Sequence, residues 1–473
     1  MRTTFFGLEI GRSALQAQQR ALDVTGHNIA NANAPGYTRQ DAVLTATTPF
    51  AMPGFNKPGT PGQVGTGVKV TEIRRLRDAF IDIQIRTEAK STGFWEAKQD
   101  ALRKLEVIVN EPSDAGLRTV MDQFWAGLQE LSKNPDSKSV RAVVRQRGIA
   151  LADTFNHLSR QLTELQVDTD SNLRIKVDET NNIAKQVASL NDQIIKIENT
   201  GDKANDLRDK RDLLVDQLSR IINMEAVEEK NGGLTLAISG RVLVEGKNNN
   251  AISAVSVPPA GYADIQWAAD GTAVMIKSGS MKSLLDVRDI IVNDYIGYID
   301  TLANTLATQI NALHSAGRVL NGVGASGIDF FEPAPPVVIS AANISVSAAV
   351  LASENNIAAA TNASAPGDGS NALLMAQLKH SNILAGGTMD DYFRGVAGQL
   401  GVDSQEATRM VDNQTILEAE LQNRRQALSG VNLDEEMTNM IRFQHGYNAA
   451  ARVVTVMDEM IDTIVNRLGL VGR

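Results

Sequence analysis

Residues 433–468 constrain this chain more than any other stretch. Steps of three and four from Met440 land on Phe443, Tyr447, Ala450, Val454, Met457, Ile461, Ile464 and Leu468, apolar or aromatic at every position. No proline interrupts the run, and Gly446 is its one weak helix former. Such spacing specifies a single long helix with a seam of coiled-coil quality. Asn432, followed three residues later by Glu435 and preceded by the breaker pair Ser429-Gly430, predicts a start resembling a capping box. Asp434, Glu435 and Glu436 crowd the first turn, where the helix dipole favours negative charge. Burying these side chains gains less than ordering about thirty residues of backbone costs. The helix therefore needs a partner surface.

The other end of the chain offers one. Leu8, Leu15, Leu22 and Ile29 recur every seven residues, and Ile10, Ala14, Ala17, Ala21 and Val24 form an adjoining stripe of mostly small residues. The two ends read as helices made to meet, within one chain or between copies. Periodicity alone does not separate this from two amphipathic helices docked on a central core. The first helix is expected over residues 4–31. It stops among Asn28, Asn31 and Asn33, ahead of Pro35, Gly36 and Tyr37. Asparagine tolerates the left-handed conformation and Pro-Gly favours a type II turn, so this turn should set how the terminal helix joins the rod.

Between the ends the chain has a nested order. Residues 37–71, with Pro49, Pro53, Pro58 and Pro61, read as extended and loop-like, ending in a short strand over residues 67–70. From residue 78 to about 222 the pattern is helical, broken near Pro112 and Pro135 and again at residues 199–202. Residues 223–280 hold Gly232-Gly233, Asn248-Asn249-Asn250, Pro258-Pro259 and Asp270-Gly271 between short apolar runs, which predicts a small β insertion with hairpin turns. Helix returns to about residue 316, residues 317–370 are rich in Gly, Pro and Ala with a possible strand over 337–339, and helix resumes from 371 to 428. The expected segments are a terminal helix (1–36), a helical rod (37–222), a β-rich outer insertion (223–280) and a return helix (281–316). An irregular segment (317–370), the last part of the rod (371–431) and a C-terminal helix (432–473) complete them. The β insertion is expected at the far point of this arrangement.

Composition narrows the function classes. With 46 Lys and Arg against 55 Asp and Glu among 473 residues, the formal charge is -9, which argues against binding that relies on neutralising phosphates. The basic groups Arg74-Arg75-Leu76-Arg77 and Arg141, Arg145 and Arg147 have no interleaved aromatics and read as solvated helix faces or contacts between subunits. Cysteine is absent, which excludes disulfides, Cys-ligated zinc and thiol catalysis. The first nineteen residues lack the apolar core of a secretory signal, and no run reaches the length of a membrane span.

Enzyme signatures are missing. The segment 322–327 matches GxGxxG literally, but a helix is expected before it and prolines come soon after, the wrong context for a dinucleotide loop. His27, His157, His314, His380 and His445 show no ligand spacing, and adjacent carboxylates on a helix face different directions. No cofactor, metal or catalytic residue is called for. A hydrolase carried in residues 223–370 would need a carboxylate pair, for which that segment has few candidates.

The end segments carry a resemblance as well as a period. Residues 21–40, running Ala21-Leu22-Asp23-Val24-Thr25-Gly26-His27-Asn28-Ile29-Ala30-Asn31 through Pro35-Gly36-Tyr37-Thr38-Arg39-Gln40, resemble the N-terminal signature of the bacterial flagellar rod, hook and hook-associated proteins. Ser429-Gly430-Val431-Asn432-Leu433-Asp434-Glu435-Glu436, continuing through Gln444 and Tyr447 to Val453, is similar to the C-terminal module of the same family. Internal matches include Asp206-Leu207-Arg208-Asp209-Lys210-Arg211-Asp212 and Gly327-Ile328-Asp329-Phe330-Phe331. The resemblance implies a mainly α, elongated, multi-domain axial protein with paired terminal coiled-coil helices, a helical rod domain and a small β-rich insertion. It implies a structural role at the hook–filament junction, outside the cell, reached through the flagellar export apparatus without a cleavable signal. The implied partners are the hook protein, hook-associated protein 3, further copies in a ring, and a cytosolic export chaperone on the C-terminal region. Leu8, Leu15, Leu22, Ile29, Met440, Phe443, Tyr447, Val454, Met457, Ile461, Ile464 and Leu468 would form the assembly interface. Another axial protein of hook or rod type, or a cytosolic coiled-coil scaffold, are the alternatives.

Overall fold

The computed structural model describes residues 5–49, 65–109, 116–258, 261–320, 326–332, 338–362, 365–385 and 387–467. Two antiparallel helix pairs in tandem organise it. Helix α1 (Phe6–Asn31) packs along α11 (Leu433–Asp462), and α2 (Ala79–Val109) packs along α10 (Met389–Ser429). The register of the first pair holds over its whole length. Gly7 lies against Met457, Gly11 against Val454, Gly446 against Gln18, and Asn28 against Glu436. In the second pair, Gln99 bonds to Thr408 and Asp82 meets Arg425.

Helices α3 (Leu117–Lys133), α4 (Lys138–Glu198) and α5 (Asn205–Ile221) complete the rod. The 61 residues of α4 make it about 90 Å long at 1.5 Å per residue. Its start is capped by Ser137, which accepts from Val140 N, just after Pro135. Pro112 lies outside the described residues. Two cores form along α4. The first gathers α3, the N-terminal half of α4, α7 (Val292–Ala316) and α9 (Ser370–Gln377) around Phe124, Phe155, Phe330 and Phe331. The second joins Leu173, Val177 and Val187 of α4 to Val215 and Leu218 of α5 and to the β insertion.

That insertion is a four-stranded antiparallel sheet, β3 (Glu225–Glu228), β4 (Leu234–Ile238), β5 (Arg241–Glu245) and β6 (Asn248–Asn249), beside the hairpin β7 (Ile252–Ser256) and β8 (Ala263–Trp267). Leu234, Leu236 and Ile238 alternate into the core, as do Ala263, Ile265 and Trp267. It is not at the far point of the molecule. It sits on the C-terminal half of α4 and on α5, and Arg208 ties α5 to Glu228 of β3.

Other expectations change as well. Residues 37–71 are not all loop: β1 (Gln40–Ala46) pairs with β2 (Val68–Arg75) in a hairpin against α1, with residues 50–64 outside the described residues. Asn248 and Asn249 are paired edge strand and not a turn. Residues 338–339 are not a strand; the pair there is β9 (Phe331–Glu332) with β10 (Ser345–Val346), followed by the short α8 (Ala348–Ala352). This segment lacks long elements yet contributes Phe330, Ile344, Val350 and Ile357 to the first core, because Asn311 binds the backbone of both Phe330 and Phe331. The return helix opens with α6 (Ser280–Asp286) and a π-helical turn, Val287–Ile291, before α7. Residues 371–428 are not one helix. The chain breaks between His380 and Thr388, and α10 restarts on a capping box in which Thr388 and Asp391 satisfy each other.

Candidate assembly interface and the joint beneath it

The contact between α1 and α11 is made by small residues. A Cβ built on Gly7 would come within 2.6 Å of Met457, and one on Gly11 within 2.7 Å of Val454 and 3.7 Å of the Ala450 carbonyl. Glycines four apart let the two backbones approach closely. Ala17, Ala21 and Val24 are buried on the side of α1 that carries Ile10 and Ser13, where Gly67 of the hairpin end comes close. Leu8, Leu15, Leu22 and Ile29 are half-buried, as are Gly7 and Gln18.

On α11, Met440, Phe443, Val454, Met457 and Ile461 are half-buried on the face that carries Ala450. Tyr447 and Ile464 are exposed, and Leu468 lies outside the described residues. The helix exposes two more apolar rows, each in steps of four: Leu433, Met437 and Ile441, then Val456, Met460 and Ile464. Rows at this spacing form the ridges that pack into the grooves of another helix. Ile441 is 54% exposed and Met460 53%, so these ridges lack a partner within the described chain.

The turn motif sits at the base of the pair. Asn28 is buried and pairs with the backbone of Gln40 as a strand neighbour would: its Nδ2 donates to Gln40 O (2.9 Å) and its Oδ1 accepts from Gln40 N (3.0 Å). Tyr37 OH also donates to Asn28 Oδ1, at 2.8 Å. Burial, with Asp206, Asp209 and Glu436 nearby, pushes the Tyr37 phenol upward. Asn31 bonds back to the His27 carbonyl, while Asn33 and Pro35 are exposed. Gly36 has φ +76° and Tyr37 N donates to Ala34 O, the geometry of a type II turn with Pro35 and Gly36 at its centre.

Beneath this lies a joint between residues 206–212 and the basic group at residues 74–77. Asp206, Asp209, Asp212 and Asp216 recur at three and four residues along one face of α5. Asp209 accepts from Thr38 N and Arg75, Asp212 meets Arg75, Arg77 and Arg86, and Asp216 meets Arg86 and Arg425. Arg77 also binds Asp82 at 2.5 Å. Burial disfavours the charged form of Asp212, but Arg77, Arg75 and Arg86 outweigh it and hold its carboxyl below the usual range. For Asp209 burial wins over Arg75, and the carboxyl is raised. Hairpin, α2, α5 and α10 are thus fastened at one place. Arg75 and Arg77 are neither on a helix nor solvated, and Arg74 pairs with Asp41 across the hairpin. The second basic group is also used internally: Arg141 is buried and donates to Pro135 O and Ile357 O, Arg145 meets Glu354, and Arg147 donates to Gln123 O. The signal for the joint was present as four aspartates in helical spacing on α5 and, in a distant segment, Arg75 and Arg77, but nothing local says that they meet.

Among the described residues no group of three or more His, Asp or Glu side chains could hold a metal, and no helix is long and apolar enough to cross a membrane. Most of the GxGxxG segment lies outside the described residues; its last residue, Gly327, donates to Ser315 O.

A family model described as the helical domain of flagellar hook-associated protein FlgK matches residues 102–331. Models of the C-terminal part of flagellar basal body rod FlgEFG proteins and of flagella basal body rod proteins match residues 424–468 and 8–38. Flagellar hook-associated protein 1 of Bacillus subtilis is 37% identical over the full length of both chains. Its Escherichia coli counterpart is 25% identical, covering 96% of this chain and 98% of its own. The solved structure of a flagellar hook junction protein from Burkholderia pseudomallei superimposes with a TM-score of 0.64 over 73% of this chain and all of that one. At 16% identity it supports the fold alone. With a relative of 37% identity along its whole length, the chain belongs to the flagellar hook-associated protein 1 family.

Proposed function

We propose that this chain is a structural component of the flagellum that forms the junction between hook and filament, and that copies pack through the terminal helix pair. One observation carries the reading. Helices α1 and α11 already satisfy each other along one face, yet α11 keeps two apolar rows exposed and α1 keeps its leucine flank half-covered. Apolar ridges of that length at both chain ends suit packing between parallel copies. The copies would form a ring seated on the hook protein, which in turn receives hook-associated protein 3 and the filament. Before assembly the chain would leave through the flagellar export apparatus, with a cytosolic chaperone covering the C-terminal rows. Its role is structural and not catalytic, and needs neither cofactor nor nucleic acid.

Replacing Met460 by Asp tests this. Met460 is exposed, so the single chain should melt within about 1 °C of the unsubstituted protein, as surface changes cost at most roughly 0.5 kcal/mol. Ring formation and swimming should be lost. Normal swimming, or a large fall in melting temperature, would refute the reading.

A further inference from the structure

Two short crossings carry the chain between the terminal pair and the rod: residues 32–39 outward and residues 430–432 on the return. One buried carboxylate holds both. Glu436 is 2% exposed; its Oε1 accepts from Arg39 Nε at 2.8 Å and its Oε2 from Asn28 Nδ2 at 3.1 Å. Arg39 extends the hold in three directions. Its second nitrogen reaches Glu435, its backbone N–H donates to Ser429 O, and its carbonyl accepts from Leu76 N. Through Asn28 the same carboxylate is tied to the start of β1, and through Thr38 the outward crossing reaches Asp209 on α5.

We propose that Glu436 is a positioning residue for assembly, fixing the direction of the terminal pair relative to the rod. The proposal rests on the assembly reading above. At 30 residues α11 is about 45 Å long, so a tilt of about 10° at its base moves its tip by about 8 Å. That approaches a helix diameter and would take the exposed rows out of register with a neighbouring copy. Asn28 belongs to the terminal pair and moves with it, so a tilt pulls the carboxylate from Arg39 in the outward crossing and strands a buried charge without its cationic partner, which resists the tilt.

The sequence has no cysteine, so Gln19→Cys and Lys210→Cys, both at exposed positions, place one spin-label pair across the joint of the full chain. The distance distribution should be narrow in the otherwise unsubstituted chain. It should be at least twice as broad with Glu436→Ala, with helix content unchanged. Glu436→Gln should fall between, because its amide NH2 must face one of the two donors that the carboxylate accepts. A broad distribution before any change at Glu436, no broadening in the Ala variant, or broadening only with lost helix in both variants would overturn the proposal. The measurement is made on single chains, so its failure leaves the test at Met460 standing, and failure at Met460 leaves the measured joint standing.

Discussion

His314 is wholly buried, its Nδ1–H donating to Ile328 O at 2.7 Å and its Nε2 accepting from Ala358 N at 3.0 Å. Both nitrogens are used only if the ring is neutral. Burial, with the Arg141 guanidinium nearby, holds its pKa down to about 4, against 6.5 for the free side chain. A group depressed in the fold contributes stability that is full above its unfolded value and disappears as pH falls. Melting temperature should therefore drop between pH 6.5 and 4, with roughly 3 kcal/mol lost, and a His314→Gln chain should lack that part of the acid dependence. Gly36 makes a different demand. At φ +76°, with Leu213 Cβ 3.2 Å from where a Cβ would lie, Gly36→Val should cost roughly 1–3 kcal/mol in chemical denaturation. At this scale the turn was legible, because Pro35-Gly36 fixes its own geometry. His314 was legible only as a histidine without ligand spacing, since its partners come from residues 14 and 44 positions away.

At the scale of elements, periodicity located α1 and α11 and, in Val454 and Met457, the face that α11 turns to α1, but not the glycines that receive it. Leu8, Leu15, Leu22 and Ile29 are only half-buried, while the closest approaches of the two backbones fall at Gly7 and Gly11. Gly11 is the sensitive point. Gly11→Leu should push α11 outward at a cost of roughly 1–3 kcal/mol, read as faster amide exchange across residues 446–458. The hairpin β1–β2 was half missed because Asp41-Ala42-Val43-Leu44-Thr45-Ala46 shows little alternation, and its burial is intermediate at nearly every position. The break before α10 was legible in Thr388 and Asp391, whose spacing is that of a helix start, but it falls within a stretch read as one helix.

Across the molecule, the order of segments could be read along the chain, but their placement could not. The β insertion lies next to the joint because α5 folds back along α4 and shares the core of Leu173, Val187 and Val215. The break at residues 199–202 marks that return, but nothing local says which faces of α4 and α5 carry the insertion. Stability should be graded accordingly. The amides of α4 between Leu151 and Ile194, enclosed by both cores, should exchange at least about a hundredfold more slowly than those of α11, which has one partner helix.

The nesting of α1 with α11 outside α2 with α10 also sets an order in time. Gly7 meets Met457, so nearly the whole chain is the loop that this contact closes. Loop closure costs entropy that grows with the logarithm of length. Each inner pair that forms shortens the effective loop for the next, so closure proceeds from the middle outward, and contacts of such long separation form slowly. During synthesis from the N-terminus, α1 can pack on the β1–β2 hairpin early, but its contact with α11 waits for residues 433–462. A nascent chain therefore carries the α11-facing side of its first helix open until residues 433–462 have been synthesised.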